Sequence, residues 1–290
     1  MKVDKASRTA QYMALFRALE TNRNSNDQLF RDPFAIYFLD KGLKRATKAF
    51  KIPILRPLIS KIIQKKIPGA FSSGVARTKY IDDLLQKTIA ADVEQVIILG
   101  AGFDTRALRL HFLRSIPIIE IDHPNTSNFK IEAFKKCIGE LPENIIFCQI
   151  DFNTQSLEEL SAEMKFDFTK RTTVIWEGVT NYLTEESINK TFTFITGFPK
   201  GSYVIFTYVH QQLLDNPDSF LGGEKLLNDL KKMEECWTFG FIPGQLSTYV
   251  EKFSFTLIED QGAAEYRNKY LPLRKERGYE FYRVAIAKKN

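Results

Sequence analysis

Short apolar runs alternate along the chain with longer stretches whose apolar residues recur at helical spacing. Five of these runs are rich in β-branched residues and predict strands buried on both faces. The runs are residues 96–99, 117–121, 145–150, 172–176 and 203–209. Because helical stretches separate them, the pattern predicts an α/β fold built on a mostly parallel, doubly wound sheet. Two more predicted strands, 253–258 and 279–287, complete a seven-stranded sheet and are close enough in sequence to pair antiparallel at the C-terminus.

The N-terminal third of the chain predicts helices and no strand. Apolar residues recur at helical spacing in residues 7–20 and, after a break at 68–74, in residues 75–90. Asp32 followed by Pro33 is typical of a helix start, with an N-cap side chain and a proline in the first turn. We therefore expect several helices ahead of the first strand.

No Gly/Ser-rich linker separates these helices from the sheet region. Domain boundaries usually fall in such linkers. We therefore expect residues 1–75 to form a helical cap that belongs to the same globular unit as residues 76–290, which carry the sheet. Residues from about 211 to 244 interrupt the alternation of predicted strands and helices. They are predicted to be an insertion with its own helix at 224–236.

The composition of the 290-residue chain, with 26% charged and 44% hydrophobic residues, is typical of a globular protein. No apolar run approaches the roughly eighteen residues that a membrane span needs, and the polar start lacks the apolar core of a signal peptide. We therefore predict a cytoplasmic protein without stable membrane insertion. The three cysteines are widely spaced, so neither a disulfide framework nor a zinc site is expected.

The net charge of +6 is unevenly distributed. Residues 41–81 contain no acid but many lysines and arginines. Such a stretch could contact a phosphate backbone or an anionic membrane surface, or could form an ordinary solvated basic face. Within it, a helix predicted from Pro57 carries an apolar stripe that could lie on a membrane or pack against its own domain.

A glycine turn follows the first predicted strand. Gly100, Ala101 and Gly102 form a tight turn that lets backbone N–H groups and the next helix approach a ligand closely. Such a turn opens most nucleotide-binding doubly wound sheets. The dinucleotide motif requires a third glycine, but Thr105 occupies that position. Asp104 would repel a pyrophosphate and suit a cationic ligand, a combination that favours S-adenosylmethionine.

Acidic residues follow three more predicted strands at their carboxyl ends, where open α/β sheets bind ligands. Asp122 follows the second strand and can accept hydrogen bonds from both ribose hydroxyls, whereas Glu120 lies deeper along that strand. Asp151 and Phe152 follow the third strand, where a carboxylate can bind an adenine amino group and a ring can cover the base. Glu177 follows the fourth strand and suits an ammonium group. The acids and the glycine turn together predict one binding site.

Two motifs in this region are specific: Gly-Ala-Gly-Phe-Asp-Thr-Arg at 100–106 and Glu-Gly-Val-x-x-Tyr-Leu at 177–183. With them, the chain resembles the leucine carboxyl methyltransferase-like family of S-adenosylmethionine-dependent methyltransferases, in particular its bacterial branch. The other matching stretches are 7–10, 17–20, 32–35, 77–78, 120–124 and 151–152. The resemblance covers residues 7–183. The C-terminal third resembles the family in its alternation of predicted strands and helices more than in its sequence motifs.

The resemblance implies a Rossmann-like class I methyltransferase fold that binds S-adenosyl-L-methionine and releases S-adenosyl-L-homocysteine. The implied cofactor ligands are Arg77, Gly100, Ala101, Gly102, Asp122, Asp151, Phe152 and Glu177. Arg77 would pair with the methionine carboxylate of the cofactor and Glu177 would hold its amino-acid end. Asp122 would bind the ribose, and Asp151 with Phe152 would bind the adenine.

The chemistry of the methyl acceptor decides whether the enzyme needs a base. A carboxylate acceptor requires none, whereas a hydroxyl must lose a proton. Tyr182, in the loop after the fourth strand, could orient the acceptor. His210, after the fifth strand, could be the base or an ordinary loop histidine. His123 adjoins the ribose acid and His111 ends a helix, so neither is a first candidate.

The sequence thus predicts methyl transfer to a carboxylate or hydroxyl oxygen of a small molecule or a protein terminus. The N-terminal helices and the aromatic residues of 237–241 could build the acceptor pocket, although those aromatics could equally be the core of a lid. Two alternatives stay open. One is a nicotinamide-dependent oxidoreductase, which shares the glycine turn and the acid after the second strand. The other is a non-catalytic basic module that binds RNA or a membrane; sequence-specific nucleic-acid binding is not expected.

Overall fold

The computed structural model describes residues 8–151, 155, 157, 166–274 and 276–290, and within them seven strands form one sheet with helices on both faces. The strands are β1 (Gln95–Leu99), β2 (Ile118–Asp122), β3 (Ile145–Gln149), β4 (Thr172–Trp176), β5 (Tyr203–Val209), β6 (Phe255–Gly262) and β7 (Tyr282–Lys289). The helices are α1 (Arg8–Thr21), α2 (Lys41–Phe50), α3 (Arg56–Lys66), α4 (Ala70–Ala90), α5 (Arg106–Arg109), α6 (Pro124–Ile138), α7 (Glu185–Ile195), α8 (Gln212–Asp215), α9 (Gly223–Lys232), α10 (Leu246–Glu251) and α11 (Ala263–Tyr270).

The strand order across the sheet is β3-β2-β1-β4-β5-β7-β6. Strands β1 to β5 are parallel, and β7 is antiparallel to both of its neighbours, β5 and β6. The predicted seven-stranded, mostly parallel sheet with antiparallel C-terminal pairing is therefore confirmed. The winding reverses between β1 and β4, and such switch points are where open α/β sheets bind their ligands.

Successive residues of each central strand enter two separate hydrophobic cores, because neighbouring side chains of a strand point to opposite faces. In β1, Val96 and Ile98 pack on the face covered by α1, α4, α6 and α11. Ile97 and Leu99 pack on the opposite face against α7 and α10. The whole strand is buried, as the unbroken apolar run predicts.

Helix α4 begins at Ala70, so the predicted break at 68–74 is shorter than expected. Gly74 lies inside this helix and faces α1, where a Cβ would lie only 3.1 Å from the Phe16 ring. The glycine therefore permits close approach of the two helices in spite of its poor helix propensity. The division expected at residue 75 falls inside α4, which runs from the N-terminal helices directly towards β1.

Three predicted helices are shorter or interrupted in the structure. The segment after Asp32 forms only a 3-10 turn (Ala35–Phe38), whose N-cap is Phe34 and not Asp32 as predicted; the Asp32 side chain accepts the backbone N–H groups of Phe34 and Ala35 just ahead of that turn. The helix expected after the glycine turn is interrupted at Leu110, whose backbone is extended. The insertion helix ends at Lys232, four residues earlier than predicted. The local backbone conformation sets where each of these three helices ends, and the helical spacing of apolar residues does not reveal that conformation.

The acid-free stretch at 41–81 lies on α2, α3 and the first part of α4. The apolar stripe of α3 divides: Ile59 and Ile63 pack against the core, whereas Leu58 and Ile62 are exposed. Arg77 is buried and does not belong to the basic surface. Across the described part of the chain, no helix combines the length and the apolar character needed to cross a membrane.

Candidate active site at the glycine turn

A cavity of about 180 Å³ opens at the carboxyl ends of β1 and β4, at the switch point of the sheet. We call it the turn cavity. Its lining includes Gly100, Ala101, Gly102, Arg77, Glu177, Asn181 and Tyr182. Gly100 and Gly102 have positive φ angles of 62° and 44°, which side-chain-bearing residues rarely adopt. A Cβ at Gly100 would also collide with the side chain of Val179, so the backbone here is tightly enclosed.

Buried ion pairs line the turn cavity. Glu177 accepts a hydrogen bond from Arg77 Nε at 2.9 Å and pairs with Arg106 Nη1 at 2.8 Å. Arg106 also pairs with Asp82, at 2.8 Å, and with Asp104. The paired side chains around the cavity are Arg17, Arg77, Arg106, Arg109, Asp32, Asp82, Asp104 and Glu177. Four cations thus balance four anions, so a zwitterionic ligand could bind without leaving a net buried charge.

This network keeps its acids ionised in spite of burial. Burial favours the neutral form of Asp104, but Arg106 and Lys130 lower the pKa of that carboxyl to about 2. Burial likewise opposes ionisation of Glu177, and the neighbouring Arg106 and Arg77 hold its pKa below the usual value. Both acids are therefore carboxylates at neutral pH. The cavity presents fixed charges of both signs to a ligand.

Arg77 is only 4% exposed and is held from three sides. Its Nε donates to Glu177, its Nη2 donates to Met13 Sδ at 3.3 Å, and its guanidinium lies 4.4 Å from the centre of the Tyr282 ring. The family resemblance implies that Arg77 and Glu177 hold the same end of the cofactor. The structure brings both to one cavity and pairs them with each other.

Asp122 lies behind the glycine turn. It accepts hydrogen bonds from the backbone N–H of Gly102 and, at 2.6 Å, from that of His123. Burial raises the pKa of Asp122, although these two N–H groups oppose the rise. Asp151 is the next acid along this edge, with its Oδ2 3.9 Å from His123 Nε2. Phe152, the predicted partner of Asp151, lies outside the described residues.

Glu120 lies deeper in the sheet than Asp122, as predicted, and pairs with Lys130 Nζ at 2.6 Å. Burial raises the pKa of Glu120 to about 7, although Lys130 opposes the rise. Both side chains are almost fully buried. Lys130 Nζ also approaches the Ala101 carbonyl oxygen at 3.5 Å, so the buried pair lies behind the glycine turn, and Glu120 does not line the turn cavity.

The two predicted catalytic residues lie in different places. Tyr182 lines the turn cavity, and burial raises its pKa to about 12, so its hydroxyl is protonated at neutral pH. His210 does not line this cavity. Its Nδ1 accepts a hydrogen bond from the Gln212 N–H at 3.1 Å and its ring lies 5.7 Å from that of Phe220. Burial and the charge of Arg283 lower the pKa of His210.

Other residues reach the turn cavity without a local sequence signal for a role. Asn181 has a buried side-chain oxygen, Oδ1, that makes no hydrogen bond within the described residues. Tyr279 and Tyr282 come from the C-terminal end of the chain and reach the cavity because β7 pairs with β5. Arg106 does have a signal, since it ends the glycine-turn motif, but two of its partners, Asp82 and Glu177, are distant in sequence.

The comparisons with known proteins match the part of the chain that carries the sequence motifs. The family model described as leucine carboxyl methyltransferase matches residues 10–196. A candidate S-adenosyl-L-methionine-dependent methyltransferase of Streptomyces coelicolor is 33% identical over 180 residues, which are 62% of this chain and 60% of that protein. Another, from Mycobacterium sp. (strain MCS), is 28% identical over 200 residues, which are 69% of this chain and 72% of that protein. The matches thus span only part of each relative.

Two solved structures share the fold. A candidate methyltransferase from Thermobifida fusca superposes with a TM-score of 0.59 at 14% identity, covering 95% of this chain and 94% of that one. A DUF574-family protein from Streptomyces avermitilis gives a TM-score of 0.59 at 12% identity, covering 95% and 97% of the two chains. These likenesses confirm the Rossmann-like architecture predicted from the sequence.

Proposed function

Since the chain belongs to the leucine carboxyl methyltransferase family and is an S-adenosyl-L-methionine-dependent methyltransferase, we propose that it methylates a carboxylate or hydroxyl oxygen with its cofactor bound along the glycine turn. The observation that carries this proposal is that the turn at 100–102, Arg77 and Glu177 line one cavity at the switch point of the sheet. The family match supports neither the nicotinamide-dependent oxidoreductase nor the non-catalytic basic module.

The amino-acid end of the cofactor fits the chemistry of the turn cavity. Its carboxylate would meet Arg77, and its ammonium group would meet Glu177 and the unpaired oxygen of Asn181. The balanced ion network supports this assignment, because an added carboxylate and an added ammonium leave the total charge unchanged. The buried oxygen of Asn181 supports it as well, since it lacks a donor that an ammonium group supplies.

The adenosine end would extend past Gly102 to the open edge of the sheet, because a cavity of about 180 Å³ is below the usual size of a pocket for a whole cofactor. Asp122 would accept hydrogen bonds from the ribose. Asp151 and Phe152 would contact the adenine. The hydrogen bond from Gly102 to Asp122 supports this course, since it joins the ribose acid to the wall of the cavity.

When bound, the cofactor supplies a methyl group that is already activated on a sulfonium. The chain's own residues then have to orient the acceptor and exclude water. Tyr182, protonated at neutral pH, would donate a hydrogen bond to the acceptor and hold its oxygen in line. A carboxylate is the favoured acceptor because it needs no base, and His210, the predicted base, does not line the cavity.

Calorimetric titration with S-adenosyl-L-homocysteine tests the cofactor assignment. We expect binding by the wild type and a loss of roughly fivefold to a hundredfold on Asp122→Asn, because the carboxylate is a stronger acceptor than the amide. Asp167→Asn is the matched control, since this acid precedes β4 at the opposite edge of the sheet. Binding of NAD but not of S-adenosyl-L-homocysteine by the wild type would contradict the proposal. So would equal affinities of Asp122→Asn and Asp167→Asn for S-adenosyl-L-homocysteine.

A further inference from the structure

A second cavity of about 830 Å³ adjoins the turn cavity. Helices α1, α2 and α3 form one side, and α9 with the segment around Trp237 forms the other. We call it the helical cavity. Its walls are mainly apolar, with contributions from Tyr12, Phe16, Ile63 and Leu226. Its volume lies within the range of pockets that enclose small-molecule ligands, and none of the proposed cofactor ligands that the structure describes lines it.

The two cavities share part of their walls. Thr9, Met13, Trp237 and Tyr279 line both of them. A molecule whose body fills the helical cavity therefore presents its end to the turn cavity, beside Tyr182. This is the position that an acceptor needs, because in-line methyl transfer requires its oxygen close to the methyl group.

The shared wall contains an unsatisfied donor. Trp237 is 9% exposed, and its indole Nε1–H is buried and makes no hydrogen bond within the described residues. The Trp237 ring meets that of Tyr182 edge-on, with centroids 6.4 Å apart. The indole N–H approaches the Tyr182 hydroxyl and so opposes the rise in the pKa of Tyr182, but the two groups do not form a hydrogen bond of ordinary geometry. An indole N–H can only donate, so its partner has to be an acceptor such as an oxygen. A buried donor without a partner is costly, which indicates that a ligand oxygen satisfies it.

Charges around the helical cavity favour an anion. Arg8, Lys66, Lys225 and Lys232 contribute to its lining, whereas Asp229 is the one acid there among the described residues. Asp229 is paired with Lys232 at 3.5 Å and Arg8 with Asp40 at 3.1 Å. Glu235, which does not line the cavity, accepts hydrogen bonds from Thr9 Oγ1 and the Arg8 N–H, so Lys66 and Lys225 supply the positive excess of this lining. The excess of positive charge would raise the local concentration of an anionic amphiphile at the opening.

We propose that the methyl acceptor is the carboxylate of a lipophilic acid, whose alkyl body fills the helical cavity and whose carboxylate accepts a hydrogen bond from Trp237. This inference rests on the proposed function, because it names the acceptor of the same reaction. A carboxylate oxygen forms the new bond to the methyl carbon with its own electron pair while the methyl–sulfur bond breaks and leaves its pair on sulfur. The product is a methyl ester, and no proton is transferred. An amine acceptor uses its lone pair to attack the methyl group, so its remaining N–H groups would face the Trp237 N–H, and all of these groups are hydrogen-bond donors.

Ligand length and charge test the cavity directly. Dodecanoate, titrated below its micellar concentration into protein saturated with S-adenosyl-L-homocysteine, should bind roughly a hundredfold or more tighter than butanoate, because eight more methylenes are buried. Dodecyltrimethylammonium has the same chain and the opposite charge, and it should bind much more weakly. Equal binding of dodecanoate and butanoate, or stronger binding of the cation, would overturn the assignment.

Two variants test separately how the alkyl body and the carboxylate of the ligand are bound. Leu226→Asp places a charge in the apolar wall and should weaken dodecanoate binding at least about tenfold. Ile258→Asp on β6 is the matched control, since it makes the same kind of change at an exposed apolar residue outside this lining. Trp237→Phe keeps an aromatic ring but removes the N–H, and should weaken dodecanoate binding by about fivefold to tenfold while leaving the weaker binding of dodecyltrimethylammonium, which offers no acceptor, unchanged. Unchanged dodecanoate affinity in both cavity variants refutes the proposal.

Two readouts keep this inference distinct from the proposed function. S-adenosyl-L-homocysteine should bind Leu226→Asp as tightly as wild type, which also shows that the variant is folded. With labelled S-adenosyl-L-methionine and dodecanoate, the wild type should form a base-labile methyl ester. Binding of S-adenosyl-L-homocysteine without binding of dodecanoate overturns the acceptor assignment alone. Failure of S-adenosyl-L-homocysteine to bind overturns the proposed function and, with it, the assignment of dodecanoate as acceptor.

Discussion

Arg77 and Glu177 are one hundred residues apart in the chain and form a buried ion pair of 2.9 Å. Arg77 belongs to α4, in the helical region that covers one face of the sheet, and Glu177 follows β4. The pair therefore joins that helical layer to the carboxyl edge of the sheet, and it also lines the turn cavity. A residue predicted to bind a ligand is here part of the protein's own charge network.

Removing the charge of Glu177 should destabilise the fold. Glu177→Gln leaves Arg77 and Arg106 without a shared carboxylate in a buried network, so we expect the free energy of unfolding to fall by about 3–5 kcal/mol. Denaturant titration measures this change. Glu186→Gln is the control, because its 2.7 Å pair with Lys190 is exposed at 77% and 65%, and it should change stability by less than about 0.5 kcal/mol. Equal effects of the two substitutions would show that the buried network contributes no more to the free energy of unfolding than an exposed ion pair does.

The glycine turn should not tolerate a side chain. Gly139→Ala, at φ 79° with open space around it, should cost about 1–2 kcal/mol of stability from backbone conformation alone. Gly100→Ala has a similar φ and adds a collision with Val179, so it should cost about 1–3 kcal/mol more. The double variant Gly100→Ala with Val179→Ala should recover part of that difference. Thermal unfolding of the four proteins checks this, and an identical cost at both glycines would exclude the collision.

Cofactor binding should weaken at low pH because of Asp122. Burial raises the pKa of this carboxyl, so it takes up a proton at a higher pH than an ordinary aspartate and then loses its strength as an acceptor. Affinity for S-adenosyl-L-homocysteine should therefore fall on acidification, and the fall should begin at a higher pH than for an ordinary aspartate. Asp122→Asn should lack this component, because an amide does not titrate in this range. A wild-type affinity that is independent of pH would contradict the prediction.

Asp32 should contribute stability that disappears in acid. It accepts hydrogen bonds from Arg17 Nε at 2.8 Å and from Thr105 Oγ1 at 2.7 Å. Burial opposes ionisation, but Arg17 and Arg109 hold the pKa of Asp32 below 3.8. A lowered pKa in the folded state means that the contribution is complete above the unfolded pKa and is lost as the pH falls through the folded one.

We therefore expect Asp32→Asn to cost about 3–5 kcal/mol near neutral pH, because it leaves Arg17 without its buried carboxylate. The difference in unfolding free energy from wild type should stay constant down to about pH 5 and shrink below the usual carboxyl pKa. Urea titrations at several pH values measure it. A difference that grows on acidification would mean that the sign of the pKa shift is wrong.

The sequence by itself determined the sheet and which residues follow its strands at their carboxyl ends. Buried parallel strands must be apolar on both faces, so runs such as the one in β1 are visible without any tertiary information. Strand ends are equally visible, and in a doubly wound sheet they converge on one edge. For that reason the pattern of strands alone assigns Gly100, Asp122, Asp151 and Glu177 to a single region.

Only the tertiary structure decided which side chains pair and what encloses the acceptor. Arg77 bonds to Glu177 across one hundred residues, and Trp237 lines two cavities together with Thr9 and Met13 of α1. Neither arrangement follows from spacing, because periodicity describes which face of one element is apolar and not which other element covers it. The helical cavity arises because segments far apart in sequence pack without filling the space between them. A local pattern cannot reveal such a space, since its size depends on how all of these helices pack together.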